Sequence, residues 1–315
     1  MKAKSKLPRS AVFAFTLISI GYVFLGSFFS DHIPRELVAN LDLLDGLVLF
    51  FLFSSSIFLR YVRWHALMTS HHCDHRFISG MFFYIAGFAY TATPGKVGEL
   101  SRVVYYQGVG ISSDKVISSF VIERFFDLLV VLALAGLVFF SFPSLKVVAV
   151  SIVAIIGMLV FITIKISISR RLCKNIRKLN NRYSIRLALL TYKVLLNVNR
   201  SLNLSLSIMC VSLGIAAWSL TALTLVYCCF VFDLAVPFAS AFSVYPAAML
   251  SGAVSFLPGG IGVTEGAIVY LLNQFDISPS IGGFVALVVR FSTLWLAMLF
   301  GLIATSLSGL YILRK

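Results

Sequence analysis

Residues 257–266, LPGGIGVTEG, place a Pro-Gly-Gly break and a carboxylate, Glu265, inside an otherwise apolar third of the chain. A charged side chain at the centre of a bilayer costs several kcal/mol, from about 3 upward. Irregular backbone at that depth persists only where it is buried in protein or lines a water-filled cavity. This stretch therefore predicts a polar cavity inside a membrane protein.

The composition of the whole chain supports a membrane protein. Of its 315 residues, 59% are hydrophobic and 12% are charged, whereas soluble domains carry about 25% charged residues. The net charge of +14 comes from basic residues that flank apolar runs. This placement follows the positive-inside rule, so we expect membrane lipids as partners and no nucleic acid. Five cysteines form no CxxC pair, and the adjacent ligands in His71–His75 do not converge, so neither a metal site nor a cofactor is predicted.

Basic residues orient the predicted spans. Arg60 and Arg63 follow the apolar run at residues 43–59, so we expect that end of the run to be cytoplasmic. Residues 165–200 contain ten basic residues and no Asp or Glu. They are predicted to be a cytoplasmic basic loop, either plainly solvated or an amphipathic helix on anionic lipid. Both termini are expected in the cytoplasm.

These markers leave two apolar runs that cannot cross the membrane once. Residues 77–93 start inside, and the next span, residues 116–140, must also start inside. The run is therefore predicted to turn back at Pro94 and Gly95 as a re-entrant hairpin. Residues 238–273, broken at Pro258, are predicted to enter and leave from the outside.

The two halves of the chain repeat this arrangement in opposite orientation. TPGKVGE, residues 93–99, corresponds to LPGGIGVTEG, and Glu99 lies 25 residues before Arg124 just as Glu265 lies 25 before Arg290. We predict an all-α polytopic membrane protein with eight or so hydrophobic segments and about six full spans, in two inverted repeats of three spans plus one re-entrant hairpin. The chain, 1–315, is then a single transmembrane domain with repeats at residues 10–140 and 145–311.

Two broken hairpins bring helix N-termini toward the middle of the membrane, where they favour an anion. Added to nearby bases, they predict a site for a phosphate group, which guanidinium binds bidentately. The carboxylates would balance these bases in the empty site or carry a coupling proton. The predicted substrate-binding residues are Gly95, Lys96, Arg124, Gly259, Gly260 and Arg290. The predicted coupling or compensating carboxylates are Glu99, Glu123, Asp127 and Glu265.

Other interpretations of the charged residues stay open. Glu123, Arg124 and Asp127 can instead form an internal ion pair that holds helices together. Arg102 is predicted to be an interfacial charge. Trp64, Tyr105 and Tyr106 are predicted to belong to the aromatic belt.

At these residues the sequence resembles the lysylphosphatidylglycerol synthase transmembrane, or flippase-like, family. The motifs are TPGKVGE with the following Arg102, ERFFD at residues 123–127, LPGGIGVTEG and Arg290. The resemblance covers nearly the whole chain and implies a multi-pass protein of a bacterial or archaeal cytoplasmic (inner) membrane that moves lipids between leaflets. Fused relatives flip aminoacylated phosphatidylglycerol, and others are associated with polyprenyl-linked or envelope lipids. We expect a stand-alone member without the aminoacyl-transferase domain, which counts against an aminoacylated substrate.

The leading functional hypothesis is a lipid transporter or flippase for an anionic, phosphate-bearing lipid, without catalytic residues. The alternative is an integral-membrane enzyme, a transferase or hydrolase acting on a polyprenyl- or phospholipid-linked substrate, with the carboxylates as acid and base. A third hypothesis is a partner subunit whose hairpins are only structural.

Overall fold

The computed structural model describes Thr16 and residues 41–137, 182–201 and 203–313, and all regular secondary structure in these ranges is helical. Three helices are long and apolar enough to cross a membrane: Leu43–Ser70, Leu204–Val231 and Pro279–Leu307. The all-α prediction is confirmed for these ranges. The sequence also predicts spans at residues 11–29 and 147–164. Apart from Thr16, these residues and the basic loop before residue 182 lie outside the described residues.

The α-helices are numbered here in chain order. They are α1 (Leu43–Ser70), α2 (Phe77–Ala86), α3 (Arg102–Gln107), α4 (Ser113–Gly136), α5 (Arg182–Ser201), α6 (Leu204–Val231), α7 (Phe238–Val254), α8 (Val263–Asn273), α9 (Pro279–Arg290) and α10 (Leu296–Leu313). Short 3-10 segments interrupt the chain at Gly87–Tyr90, Pro94–Ser101 and Pro258–Gly260, and a π-helical turn at Phe291–Trp295 joins α9 to α10.

Helix α1 begins with a reciprocal cap and is longer than the sequence predicts. The Asp42 carboxylate accepts from the Asp45 N–H at 2.8 Å, and the Asp45 carboxylate accepts from the Asp42 N–H at 3.0 Å. The predicted end near residue 59 is wrong, because the buried side chains Trp64 and Leu67 continue the apolar face as far as Ser70. Arg60 and its neighbours thus lie inside the helix, not in a flanking loop.

Helix α5 settles part of the basic segment. Residues 182–201 form a helix, so the plain-loop alternative is wrong for this part of the segment. Val194 and Val198 pack with Ile122 and Phe126 of α4 in one apolar cluster. The Asn197 side chain donates to Asp114 at 2.9 Å, which fixes α5 beside the start of α4.

The first break turns the chain back on itself. After α2, the backbone has positive φ at Gly95 (61°) and Lys96 (56°), a conformation that opposes continued helix. Helix α3 then returns to the beginning of α2, where the Tyr106 hydroxyl donates to the Gly80 carbonyl at 3.2 Å. The predicted turn at Pro94 and Gly95 is therefore present.

The second break also turns the chain back. Helix α7 ends before Pro258, and Gly259 has a φ of 65°. The start of α7 and the end of α8 pack in one apolar core, where Val244 and Leu272 are fully buried. The predicted break within residues 238–273 is thus present, and the helices on its two sides pack together.

The two breaks meet in the interior of the bundle. A Cβ placed on Gly259 would lie 3.4 Å from the Cβ of Ala92, which precedes the first break. Ala92 also packs with Leu294 and Met298 of the π-helical turn and α10. At Gly301, α10 approaches the first fold-back so closely that a Cβ would lie 2.1 Å from the Ala89 nitrogen. This contact leaves room for glycine only.

Candidate functional site

A cavity of about 350 Å³ lies between the two breaks. Its polar lining comes from both fold-backs and from the long helices around them. The first fold-back contributes Thr91, Thr93, Gly95, Lys96 and Glu99, and the second contributes Gly259, Gly260 and Thr264. The surrounding helices contribute Ser56, Arg60, Arg124, Asp127, Trp218, Thr221, Thr224, Tyr245, Arg290 and Thr293. All six predicted substrate-binding residues lie in this one lining, so the structure brings that set together.

Arg290 holds the second break in place. Its Nε atom lies 2.7 Å from Glu265 Oε1, and its Nη2 donates to the carbonyl oxygen of Gly259. The other Glu265 oxygen accepts the N–H of Gly262 at 2.7 Å. Both ionic side chains are almost fully buried. A π-helical turn follows Arg290 directly, and such turns are frequent at functional sites.

The first break has a corresponding but more elaborate ion pair. Glu99 Oε2 lies 3.8 Å from Arg124 Nη2, at the predicted spacing, but only 2.8 Å from Arg102 Nη2. The Thr91 hydroxyl donates to the other Glu99 oxygen at 2.7 Å. The first carboxylate is thus shared between two guanidinium groups.

The predicted interfacial position of Arg102 is wrong. Its side chain is fully buried and also pairs with Glu123 at 3.2 Å. The guanidinium carbon lies 4.5 Å from the ring centroid of Trp64 and 4.4 Å from that of Tyr84. A delocalised cation is held here by two carboxylates and two rings, which compensate its desolvation.

The predicted aromatic belt is also wrong for two of its three members. Trp64 and Tyr106 are fully buried, and the indole N–H of Trp64 donates to the Tyr106 hydroxyl at 2.8 Å. Tyr105 is half-buried and stacks on Phe83. Trp64 and Tyr106 are therefore part of the protein interior, where Trp64 lies against Arg102.

Asp127 is the centre of the ionic cluster. Its Oδ1 accepts from Arg63 Nη2 at 2.6 Å and from the indole N–H of Trp218 at 3.1 Å. Its Oδ2 lies 3.0 Å from Arg124 and 3.9 Å from Arg60. The side chain therefore connects α1, α4 and α6 across the cavity wall.

The prediction that Arg60 and Arg63 follow a membrane span as flank residues is wrong. Arg63 is 1% exposed, and Arg60 lines the cavity. The sequence holds a signal for this placement, since the two arginines are three residues apart and share a helix face with Leu67. That pattern favours a helix continuing past Arg63 over a loop.

The ion pair predicted as an alternative for Glu123, Arg124 and Asp127 is present. Arg124 Nη2 lies 3.2 Å from Glu123 and 3.0 Å from Asp127. The Tyr84 hydroxyl donates to Glu123 at 2.6 Å. Arg124 nevertheless keeps 22% of its side chain exposed and lines the cavity, so the same trio braces the helices and presents charge to the cavity.

Lys96 differs from the arginines in its surroundings. It is half-buried at the tip of the first break, and its Nζ lies 5.7 Å from the ring centroid of Trp218. The Arg60 guanidinium lies 4.3 Å from the centroid of the same ring. No carboxylate oxygen in the described part of the chain is within 4.0 Å of Lys96 Nζ.

The charges around the cavity do not cancel. Among the described residues, six cations line it or pair with its lining, namely Arg60, Arg63, Lys96, Arg102, Arg124 and Arg290. Four carboxylates oppose them, namely Glu99, Glu123, Asp127 and Glu265. The formal excess of two positive charges makes this region suitable for an anion.

Comparison with known proteins agrees with the resemblance that the motifs carry. No curated protein matches the chain significantly. The family model described as "Lysylphosphatidylglycerol synthase TM region" matches residues 12–301. This match covers nearly all of the sequence and includes both breaks, the ERFFD motif and Arg290. The chain therefore belongs to the family of the lysylphosphatidylglycerol synthase transmembrane region.

Proposed function

We propose that the protein is a lipid transporter that moves an anionic, phosphate-bearing lipid between the two leaflets of a cytoplasmic membrane. The observation that carries this proposal is the cavity shared by the two breaks, which Lys96, Arg124 and Arg290 line within an apolar helical bundle. Polar backbone and buried charge cost free energy inside a membrane. Binding of a polar substrate in the cavity accounts for their presence there.

The chemistry of the lining favours phosphate. Guanidinium groups such as that of Arg124 match phosphate oxygens in a two-pronged geometry, and Lys96 supplies a point charge. The hydroxyl group of Thr224 also lines the cavity and can donate to a phosphate oxygen. The apolar lining, including Phe53 and Leu250, suits the first carbons of a lipid tail.

We further propose that the fold-backs are re-entrant hairpins of two inverted repeats, residues 10–140 and 145–311. The repeated pairing of Glu99 with Arg124 and of Glu265 with Arg290 supports this arrangement. Inverted repeats place a transport site near the middle of the bilayer, between broken helices. In this proposal the first hairpin opens to one side of the membrane and the second to the other.

The proposed orientation rests on α5. This helix carries Arg182, Arg186, Lys193 and Arg200 and is fixed beside the start of α4 through Asn197. The opposite end of the bundle has the acidic start of α1, where the Tyr227 hydroxyl donates to Asp45 at 2.7 Å. We therefore propose, from the positive-inside rule, that α5 and both termini lie in the cytoplasm.

During transport, the headgroup passes through the cavity while the acyl or prenyl tails stay in the bilayer. Glu99 and Glu265 hold neighbouring cations in the empty site. Protonation of either carboxylate would raise the local positive charge by one, which offers a route for coupling to a proton gradient.

The experiment that tests this proposal uses the purified protein in liposomes that contain labelled anionic lipids. Leaflet distribution is followed over time, and the headgroups are then extracted and identified by mass spectrometry. Protein-dependent movement with unchanged headgroups supports transport. A modified headgroup would instead support the membrane-enzyme alternative, and absence of movement for every anionic lipid would overturn the proposal.

A further inference from the structure

We infer that the anion subsite is asymmetric: Arg60 and Lys96 beside the Trp218 ring form it with Arg124, which Asp127 links to Trp218, and it takes a lipid that ends in a phosphate monoester. This cluster is called the Trp218 subsite below. The inference rests on the proposed function for the lipid nature of the ligand. Binding to the subsite is nevertheless measurable without transport.

In the second half of the cavity, protein atoms occupy the nitrogens of Arg290. Arg290 uses Nε for Glu265 and Nη2 for the Gly259 carbonyl, and its Nη1 lies 3.6 Å from the sulfur of Met249. The guanidinium is 1% exposed. Because each of its nitrogens is directed at a protein atom, Arg290 braces the second break and presents little of its charge to a ligand.

The three cations of the Trp218 subsite are held differently. Among the described residues, Arg60 donates only to hydroxyl groups, to Ser56 at 3.3 Å and to Thr221 at 3.4 Å, and its nearest carboxylate oxygen there is 3.9 Å away. Lys96 has no carboxylate oxygen within 4.0 Å among the described residues. The ion pairs of Arg124 all use Nη2. Arg60 and Lys96 thus carry the least compensated charge in the cavity lining, whereas Arg124 is paired with carboxylates through Nη2 and keeps 22% of its side chain exposed.

The ring of Trp218 lies beside two of these cations, Arg60 and Lys96. Arg60 from α1 and Lys96 from the first break both approach its ring, at 4.3 and 5.7 Å from the centroid. The indole N–H is fixed by Asp127 at 3.1 Å. The Trp218 ring, which Asp127 holds by its N–H, therefore contacts two cations that come from separate elements. Sequence reasoning missed both Arg60 and Trp218 as site residues.

The charge excess indicates the class of ligand. The described ionic side chains around the cavity carry two more positive than negative formal charges. A phosphate monoester carries about −1.5 to −2 at pH 7, whereas a phosphodiester carries one negative charge. A terminal phosphate also exposes three oxygens, enough to contact Arg60, Lys96 and Arg124 at once. Diacylglycerol phosphate and polyprenyl phosphate share this headgroup.

Equilibrium binding to the purified full chain in detergent tests the inference. The probes are dihexanoyl phosphatidate, geranyl phosphate and, as the phosphodiester, dihexanoyl phosphatidylglycerol. We expect at least one monoester to bind about tenfold or more tightly than the diester, which corresponds to a difference of about 1.4 kcal/mol. Binding of both monoesters shows that the phosphate alone is recognised, and preference for one identifies the tail.

Variants assign this binding to the subsite. Arg60→Gln and Lys96→Gln are each expected to weaken monoester binding about tenfold, while Arg60→Lys, which keeps the charge, retains most of it. Arg76→Gln and Lys115→Gln are matched controls, because these cations do not line the cavity. Monodisperse elution and an unchanged Tm establish folding for each variant.

Two results would overturn the inference: equal affinity for monoester and diester, or wild-type affinity in both Arg60→Gln and Lys96→Gln. If Arg60→Gln does not fold, Lys96→Gln at the half-buried tip of the break decides. Transport of a phosphodiester lipid with no monoester preference would refute the inference and leave the proposed transport function standing.

Discussion

The Nε atom of Arg290 lies 2.7 Å from Glu265 Oε1, and this pair closes the second break of the chain. The same separation in sequence joins Arg124 to Glu99 at the first break, at 3.8 Å. In the first half Arg102 takes the shorter contact with the carboxylate, at 2.8 Å. The two halves therefore share a pairing scheme but distribute their charge differently around the cavity.

Removing either member of the second pair is expected to stop transport without preventing insertion. Arg290→Ala leaves Glu265 buried without its cation and frees the Gly259 carbonyl, which costs about 3–5 kcal/mol in stability. Glu265→Gln leaves the arginine charge unbalanced. Both variants should purify as monodisperse species but transport labelled lipid about a hundredfold more slowly, equivalent to about 2.7 kcal/mol in the barrier. Asp276→Asn, at an exposed carboxylate, is the control, and full activity in both variants would refute a role for this pair.

Two arginines of the first half are expected to separate stability from transport. Arg102→Gln removes the closest cation of Glu99 and one of the two closest cations of Glu123, and both carboxylates stay buried. We therefore expect the free energy of unfolding to fall by about 3–5 kcal/mol. Arg124→Gln removes a partly exposed cation and should lower Tm less while abolishing transport. Thermal unfolding in detergent and liposome transport are measured on both. A larger loss of stability in Arg124→Gln would contradict these roles.

The contact between the two breaks is testable by cross-linking. A Cβ on Gly259 would lie 3.4 Å from that of Ala92, close to the mean separation of about 3.8 Å in disulfides. Ala92→Cys combined with Gly259→Cys, in a background without the five native cysteines, should form a disulfide on mild oxidation. The positive φ at Gly259 adds a cost of about 1–2 kcal/mol. Mass spectrometry should find the linked peptides in the double variant and in neither single variant; their absence would contradict the meeting of the breaks.

The proposed orientation predicts opposite labelling of two exposed positions. Lys193 lies on α5, and Gln274 follows α8 at the other end of the bundle. In a cysteine-free background, Gln274→Cys should react with a membrane-impermeant maleimide in intact cells. Lys193→Cys should react only in inverted vesicles or after the cells are opened. Labelling of both positions from the same side would refute the two-sided arrangement.

The sequence predicted the breaks because Pro and Gly act locally. Pro94 and Pro258 end helical pairing, and the following glycines, Gly95 and Gly259, adopt positive φ, so short motifs were sufficient. The spacing of Glu99 and Glu265 to their arginines also carried information, since both pairs are formed. The helical fold, the two breaks and the six predicted substrate-binding residues in the cavity lining were therefore predictable.

The placement of Arg60, Arg63 and Arg102 was not predictable from charge alone. A basic residue near the end of an apolar run ordinarily marks a membrane surface. Here ion pairs with Asp127 and Glu123 stabilise the buried guanidinium groups of Arg63 and Arg102. Those partners come from α4, more than twenty residues later in the chain. Trp218 was missed for the same reason, because its role depends on cations from two other elements.

The central claim is that an anionic headgroup crosses the membrane through the cavity between the two breaks. The most direct measurement compares the initial rate of leaflet exchange of a labelled anionic lipid in liposomes that contain wild-type protein, Lys96→Gln or Lys115→Gln at equal amounts. The account predicts wild-type rates for Lys115→Gln and a loss of about tenfold or more for Lys96→Gln, with headgroups unchanged throughout. Equal rates in all three preparations would contradict it.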